Sequence, residues 1–130
     1  MKRRVLFVCT ANSARSLMAE ALLRHMAGDR FEVASAGTEP GEPHPLALQV
    51  LQEAGIPVDG LYSKSLSELQ GQYWDYVITL CEKAAQECAN VSSGAQQIAW
   101  DFPDPAEANR RATFALTLKE IRERIGLFTL

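Results

Sequence analysis

Short apolar segments alternate with segments of helical periodicity along the chain, and this alternation limits the possible folds. Residues 4–8 (RVLFV) combine β-branched and aromatic side chains, which predicts a strand buried on both faces. Residues 30–37, 74–81 and 96–100 predict three further strands. Parallel strands need a crossover connection, usually a helix, so strands separated by helices predict a parallel sheet. The expected fold class is α/β: an open, parallel four-stranded sheet with helices on both faces.

Three longer segments show the spacing of an amphipathic helix. The first runs from Ser13 to Gly28, the second is opened by Pro43 and Pro45 and ends at Gly55, and the third begins near Pro105. Proline is favoured in the first turn of a helix, and glycine is favoured just beyond its last turn. A shorter helix is predicted at 65–69. The third long helix spaces four apolar residues for burial: Phe114, Leu118, Ile121 and Ile125.

Composition favours one globular domain without a dedicated surface for nucleic acid or membrane. With 130 residues and 47% apolar side chains, the chain can bury a core without disulfide bonds. The net charge is −3, and the basic residues are scattered apart from the run at 2–4, which argues against binding to nucleic acid or an anionic membrane. The opening apolar segment is too short for a secretory signal or for a membrane span of about 20 residues. We therefore expect a single cytoplasmic domain, residues 1–130.

The chain has three cysteines, Cys9, Cys81 and Cys88, an odd number for a structural disulfide framework. In a reducing cytosol, they are more typical of catalysis, redox exchange or burial. Cys9 and Cys81 each follow a predicted strand, and so does the segment 101–104, which contains two aspartates. Ligands of parallel α/β sheets bind beyond the carboxyl ends of the strands. The sequence therefore predicts that these residues share the ligand-binding edge of the sheet.

The segment CTANSARS, which begins at Cys9, joins the first strand to the first helix. Such a turn directs backbone N–H groups and the positive end of a helix dipole at one point, which binds a tetrahedral oxyanion. The Arg15 guanidinium adds a positive charge that can bind two oxygens of the anion. The positive potential of the helix end and Arg15 also favours the thiolate form of Cys9, and Ser16 is a candidate hydrogen-bond donor to its sulfur. Asn12 tolerates a left-handed backbone and is expected to fix the loop through contacts with 35–37. The predicted anion-binding residues are Thr10, Ala11, Asn12, Ser13, Ala14, Arg15 and Ser16.

The segment DFPDPA offers two carboxylates, Asp101 and Asp104, for proton transfer. Asp104 precedes Pro105, and Asp followed by Pro is also a common helix start in which Asp caps the first turn. The sequence leaves open whether Asp104 is an acid, a cap or both.

Alternative roles are available to each of these residues. Cys9 could be a buried apolar cysteine, and Arg15 could lie on an exposed helix face. Cys81 and Cys88 could be a core cysteine and a helix cysteine with no shared role. A zinc site is disfavoured, because the chain has no Cys-x-x-Cys pair and few other ligands of the right type: the histidines are His25 and His44.

The sequence VLFVCTANSARS resembles the phosphate loop of the low-molecular-weight protein tyrosine phosphatase superfamily, in which Cys, five residues, Arg and Ser follow the first strand. The chain as a whole is more similar to the thioredoxin-coupled arsenate reductases built on that fold. Three further segments carry this similarity: SAGTEP at 35–40, VITLCEKAAQEC at 77–88 and WDFPDPAEA at 100–108. The resemblance implies reduction of arsenate to arsenite, with phosphate and sulfate as competing oxyanions, thioredoxin as the reductant, and no cofactor.

The same resemblance implies a relay of three cysteines. Cys9 attacks the arsenic while Arg15 and the loop backbone hold the anion. Cys81 then attacks Cys9 and releases arsenite, and Cys88 takes over the disulfide to form a Cys81–Cys88 pair that thioredoxin reduces. Asp104 is implied as the general acid that protonates the departing oxygen.

Four positions depart from the usual pattern of the superfamily. Ala14 stands where many relatives have a second loop cysteine, so a redox partner of Cys9 must come from elsewhere in the chain. Ala11 stands where glycine is usual, which modestly narrows the freedom of the loop backbone. Leu17 and Ala106 replace the Pro and Tyr that are usual in the tyrosine phosphatase branch. A phosphatase, and a non-catalytic oxyanion-binding or redox-sensing domain, are the alternatives to the reductase.

Overall fold

The computed structural model describes residues 2–69, 71–81, 84 and 95–130. Within these ranges the chain forms a sheet of four strands: β1 (Arg3–Cys9), β2 (Phe31–Gly37), β3 (Tyr76–Thr79) and β4 (Gln96–Ala99). All neighbouring strands are parallel, and their order is β2-β1-β3-β4. The predicted strands and their parallel arrangement are confirmed, although β3 is shorter than the predicted segment 74–81.

Three helices lie within the described ranges: α1 (Arg15–Ala27), α2 (Pro45–Glu53) and α3 (Arg111–Phe128). Of the two prolines predicted to open the second helix, Pro45 occupies the first turn of α2 and Pro43 precedes the helix. His44 caps this helix by accepting the Leu46 N–H at Nδ1, at 3.1 Å. The predicted start of the last helix near Pro105 is wrong. Pro105–Glu107 forms a separate 3-10 helix, and Asn109 has a φ of 50°, which interrupts a right-handed helix. Nowhere in the described ranges is a helix both long enough and apolar enough to cross a membrane.

Successive side chains of a strand point to opposite faces of the sheet, and both faces are covered here. From β1, Val5 and Phe7 join a core cluster that contains the apolar sides of α1, α2 and α3. Leu6 and Val8 join a second cluster on the other face, against which the 3-10 helix Leu66–Leu69 packs. The predicted α/β class, with helical segments on both faces, is confirmed. The residues predicted for burial on the last helix lie in the first cluster: Phe114, Leu118, Ile121 and Ile125.

The parallel register brings the carboxyl ends of the strands to one edge of the sheet. Cys9 pairs with Gly37 at the end of β2, and Val8 pairs with Thr79 at the end of β3. Cys81 and the segment 100–104 leave the sheet just beyond β3 and β4. The predicted ligand-binding edge is therefore the edge where Cys9 and Cys81 lie.

Candidate active site

Hydrogen bonds to its carbonyl oxygens hold the loop between β1 and α1 in place. Those of residues 9–13 each accept a hydrogen bond from outside the loop: Thr38 N to Cys9 O at 3.2 Å, Glu39 N to Thr10 O at 2.9 Å, Gly41 N to Ala11 O at 2.9 Å, Ser63 Oγ to Asn12 O at 2.6 Å and His44 N to Ser13 O at 2.9 Å. The N–H and C=O groups of one trans peptide point in opposite directions, so the N–H groups of residues 10–14 point away from these partners. Successive N–H groups on one side of a loop are the arrangement that binds anions.

Helix α1 begins at this loop and leaves its first turn open to a ligand. Helix N-termini are typically capped by the side chain of Ser, Thr, Asp or Asn. The N-cap residue here is Ala14, whose methyl group cannot accept a hydrogen bond. The N–H groups of the first turn and the positive end of the helix dipole therefore remain available to an anion. This is the position that the sequence predicts for an oxyanion.

Asn12 determines the shape of the loop from within. It is fully buried and has a φ of 51°, as predicted for a left-handed position. The backbone N–H of Lys64 can only donate, so its partner at 3.0 Å must be the Asn12 oxygen, Oδ1. The Asn12 amide nitrogen consequently faces the other way and donates to Ser16 Oγ at 2.6 Å and to Ser35 Oγ at 3.0 Å. The predicted contact between Asn12 and 35–37 is confirmed.

Gly37 allows β2 to approach the loop closely. A Cβ atom at this position would lie 2.6 Å from Thr10 O and 3.0 Å from Asn12 N, which is closer than side chains approach backbone atoms. A residue larger than glycine would therefore push the loop away from β2.

The sulfur of Cys9 lies inside this network. Cys9 is 2% exposed, and its Sγ is 2.9 Å from Ser16 Oγ. Because Ser16 Oγ already accepts a hydrogen bond from Asn12, its own hydrogen can point at the sulfur. A donor directed at the sulfur stabilises the thiolate, which is the reactive form of a cysteine.

Arg15 is buried and does not lie on an exposed helix face. Its Nη1 donates to Phe102 O at 2.9 Å and to Leu80 O at 3.5 Å. Its Nη2 is 3.9 Å from Asp104 Oδ2. The guanidinium thus spans from α1 to the segments that follow β3 and β4, at the edge of the sheet where the loop lies.

Asp104 caps a short helix with one carboxylate oxygen and faces Arg15 with the other. Its Oδ1 accepts the Ala106 N–H at 3.0 Å and caps the 3-10 helix that starts at Pro105. Its Oδ2 faces Arg15, and the side chain is 40% exposed, so it is accessible to a bound ligand. The capping role is therefore present, and the second oxygen takes no part in the cap. Asp101 is exposed.

Cys81 lies against the same loop. Its Sγ is 3.3 Å from Thr10 Oγ1, and it accepts the Ala84 N–H at 3.4 Å. Thr10 is the residue next to Cys9, so the structure brings Cys81 against the loop that begins at Cys9. Among the described residues, Cys9 and Cys81 are not joined in a disulfide, and Cys88 lies outside these residues.

Sequence reasoning missed a group of buried polar side chains behind the loop. Ser35 Oγ donates to Glu20 Oε1 at 2.5 Å, and Arg24 Nη2 is 2.6 Å from Glu20 Oε2. Lys64 Nζ is 3.9 Å from Glu20 Oε1. Burial lowers the pKa of Lys64, and the negative charges of Glu20 and Glu68 oppose this shift. Glu20 sits on α1, where its charge would suggest an exposed position, and Lys64 lies in no recognisable motif.

The chain belongs to the family described as low molecular weight phosphotyrosine protein phosphatase, which matches residues 4–129. It is similar to an arsenate reductase of Halalkalibacterium halodurans, with 36% identity over 132 residues that cover 98% of this chain and 95% of that protein. Among solved structures, it is similar to an arsenate reductase in the phosphate binding state, with a TM-score of 0.81, 26% identity, and coverage of 97% of this chain and 95% of that chain. It is also similar to a thioredoxin-dependent arsenate reductase of Corynebacterium glutamicum, with a TM-score of 0.75, 32% identity, and coverage of 98% of this chain and 60% of that chain. The family resemblance noted in the sequence is confirmed.

Proposed function

We propose that this protein is an arsenate reductase that uses Cys9, Cys81 and Cys88 as a thiol relay and thioredoxin as its reductant. The observation that carries the proposal is the position of Cys81, whose sulfur is hydrogen-bonded to Thr10, the residue next to Cys9. Hydrolysis of a phosphate ester needs one cysteine nucleophile, whereas reduction of arsenate needs a second thiol within reach of the first. The similarity to arsenate reductases over nearly the whole chain supports the same choice.

The substrate site is the loop that begins at Cys9. Its N–H groups, the first turn of α1 and the Arg15 guanidinium are suited to a tetrahedral oxyanion, either arsenate or the competing phosphate and sulfate. The structural similarity to an arsenate reductase in the phosphate binding state supports this choice of ligand. Arg15 keeps its bonds to the carbonyl oxygens of Leu80 and Phe102, which hold it beside the loop.

The first chemical step is attack of the Cys9 thiolate on arsenic. A sulfur–arsenic bond forms, and one arsenic–oxygen bond breaks. The departing oxygen takes a proton and leaves as water, for which Asp104 Oδ2 is the proposed donor. Arsenic remains at oxidation state five, because no electrons have yet been transferred to it.

The second step transfers two electrons to arsenic. The Cys81 thiolate attacks the Cys9 sulfur, a Cys9–Cys81 disulfide forms, and the electron pair of the broken sulfur–arsenic bond stays on arsenic, which leaves as arsenite. The Thr10 hydroxyl and the Ala84 N–H hold the Cys81 sulfur near the loop before this attack.

The third step regenerates Cys9. The Cys88 thiolate attacks the Cys81 sulfur, which releases Cys9 and forms a Cys81–Cys88 disulfide that thioredoxin reduces. The role of Cys88 rests on the sequence resemblance, and the similarity to a thioredoxin-dependent reductase supports the choice of reductant. Because the relay must return to three thiols, we place the protein in a reducing cytoplasm.

The test is arsenite formation by the purified protein with arsenate, thioredoxin, thioredoxin reductase and NADPH, measured by arsenic speciation. Cys88→Ser is expected to release one equivalent of arsenite and then stop, with a Cys9–Cys81 disulfide detectable by peptide mass spectrometry. Cys81→Ser is the matched control and should release none. Repeated turnover by Cys88→Ser, or no arsenite from the unmodified protein, would contradict the proposal.

The second candidate is hydrolysis of phosphate monoesters. It is favoured by the position of Asp104 beside Arg15, because an acid next to an anion site can protonate a leaving oxygen of a phosphate ester as well. Such hydrolysis would need Cys9 but not Cys81 or Cys88. A phosphatase activity that survives Cys81→Ser, in a protein that forms no arsenite, would favour this candidate.

A further inference from the structure

A buried carboxylate lies behind the anion loop. Glu20 is 3% exposed, and its Oε1 accepts a hydrogen bond from Ser35 Oγ at 2.5 Å. Lys64 is 6% exposed, and its Nζ lies 3.9 Å from the same oxygen. We infer that Lys64 is a positioning residue of the anion loop, whose ammonium group balances the charge of Glu20 and so keeps Ser35 and Asn12 where they shape the loop. This inference rests on the proposed function, since it concerns the same anion site.

The hydrogen bonds behind the loop form a closed ring in which Lys64 takes part twice. Its backbone N–H donates to Asn12 Oδ1 at 3.0 Å, the Asn12 amide nitrogen donates to Ser35 Oγ at 3.0 Å, and Ser35 donates to Glu20. The contact between Glu20 and the Lys64 ammonium closes the ring. Asn12 also donates to Ser16, the partner of the Cys9 sulfur. A disturbance of the Glu20–Lys64 contact can therefore reach both the loop backbone and the sulfur.

Charge explains why a lysine is needed at this place. A buried carboxylate close to an anion site repels the anion unless a cation balances it. Arg24 contacts Glu20 Oε2 at 2.6 Å, but its side chain is 47% exposed, so solvent screens its charge. The Lys64 side chain is only 7% exposed and acts with little screening.

The surroundings of the Lys64 ammonium contain groups of both signs. Nζ donates to Tyr62 O at 3.2 Å and lies 4.2 Å from the centre of the Tyr62 ring. The carboxylates of Glu20 and Glu68 attract it, and Arg24 repels it. Burial has the largest effect and lowers the pKa of Lys64 below 10.5. The buried ammonium group of Lys64 therefore loses its proton, and the loop its buried cation, at a lower pH than an exposed lysine would lose its proton.

Two pH dependences of opposite sign follow. Between the lowered pKa of the folded state and 10.5, the unfolded chain binds more protons at Lys64 than the folded chain does. The contribution of Lys64 to the free energy of unfolding therefore rises with pH in this window. Affinity for an anion is expected to fall in the same window, because Arg24, whose charge solvent screens, is then the cation left beside Glu20 among the described contacts. A purely structural ion pair would not produce the second effect.

The first experiment measures the affinity of the purified protein for inorganic sulfate by calorimetry at neutral pH. Lys64→Met is expected to weaken binding about 10-fold. Lys119→Met, which removes the same charge from an exposed position on α3, should leave it unchanged. The double variant Glu20→Gln/Lys64→Met should recover binding to within about 3-fold, because the amide that replaces the carboxylate can still accept from Ser35 without carrying a charge. Equal affinity in the two lysine variants, or no recovery in the double variant, would overturn the inference.

The second experiment needs no substitution at the network. The side-chain signals of Lys64 are titrated by NMR spectroscopy with and without saturating sulfate, with Lys119 as the internal control. Reciprocal linkage requires that an anion which binds better to the charged form raises the pKa of Lys64. An unchanged pKa of Lys64 would overturn the inference. Neither experiment depends on arsenite formation, so a failure of the reductase proposal and a failure of this inference are distinguishable.

Discussion

Two cysteines lie at the same edge of the sheet in different surroundings. Cys9 is 2% exposed, and its sulfur contacts Ser16 Oγ at 2.9 Å inside a network of fully buried side chains. Cys81 is half-buried, and its sulfur contacts Thr10 Oγ1 at 3.3 Å and the Ala84 N–H at 3.4 Å. A cysteine sulfur is a weak hydrogen-bond partner, and the two contacts of Cys81 are long. The difference indicates that the anion site is rigid before substrate binds, whereas the second thiol can leave its contacts when it attacks.

The largest expected effect concerns Asp104, which faces Arg15 at the same edge of the sheet. Asp104→Asn keeps a good capping side chain but removes the acid, so arsenite formation should slow by about 100-fold or more without loss of thermal stability. Asp104→Ala removes both roles and should in addition destabilise the protein by about 1 kcal/mol. Steady-state kinetics and thermal unfolding of the two variants check this prediction. Full activity in Asp104→Asn would leave Asp104 as a cap alone.

A smaller effect is expected on the rigid side, at the Cys9 sulfur. Ser16→Ala removes the hydroxyl that donates to this sulfur, and hydrogen bonds to charged groups contribute about 2 kcal/mol. A less stabilised thiolate is also a better nucleophile, so we expect a loss of roughly 5- to 10-fold in the rate of alkylation. The reactivity of the Cys9 sulfur is measured by its rate of alkylation by iodoacetamide at fixed pH, in a chain that also carries Cys81→Ser and Cys88→Ser. Ser35→Ala leaves the Ser16 hydroxyl in place and should slow alkylation less. Equal rates in the two serine variants would show that the sulfur is not stabilised through Ser16.

The smallest effect is expected on the Cys81 side. Thr10→Val keeps the shape of the side chain but removes the hydroxyl that contacts the Cys81 sulfur, and a neutral hydrogen bond contributes about 1 kcal/mol, or roughly 5-fold. We expect a loss of this size in the rate of Cys9–Cys81 disulfide formation, measured by rapid quench and mass spectrometry, because without the hydroxyl the Cys81 sulfur spends less time beside the loop. Sulfate affinity should be unchanged, because the N–H group of residue 10 remains. If Thr10→Val lowered sulfate affinity more than the rate of disulfide formation, Thr10 would belong to the rigid anion site and not to the contacts of Cys81.

Local patterns in the sequence were sufficient for the sheet and for the loop. Buried strands have a recognisable composition, and the segment from Cys9 to Ser16 lies on consecutive residues, so strand, turn and helix start can be identified together. The start of the last helix was placed too early, because Asp104 and Pro105 do begin a helical turn, and the left-handed backbone of Asn109 that ends it has no strong local signal.

Contacts between distant residues could not be predicted in the same way. The partners of the loop carbonyls come from 38–44 and from Ser63, and they bond through backbone groups or a common hydroxyl that no motif distinguishes. The burial of Glu20 depends on Ser35 and Lys64, which lie 15 and 44 residues further along the chain. Gly37 gave a partial signal, since a glycine at a strand end often marks a close approach of two backbones.

The bonds that Arg15 makes to Phe102 O and Leu80 O have a consequence for the strength of anion binding. A long side chain that is free in solution loses rotational freedom when it grips a ligand, and this loss weakens binding by about 1 kcal/mol. In this protein, folding already immobilises the guanidinium, since two backbone carbonyls and a neighbouring carboxylate fix its direction. The side-chain entropy of Arg15 is therefore lost when the chain folds, and binding of an oxyanion does not incur this loss again.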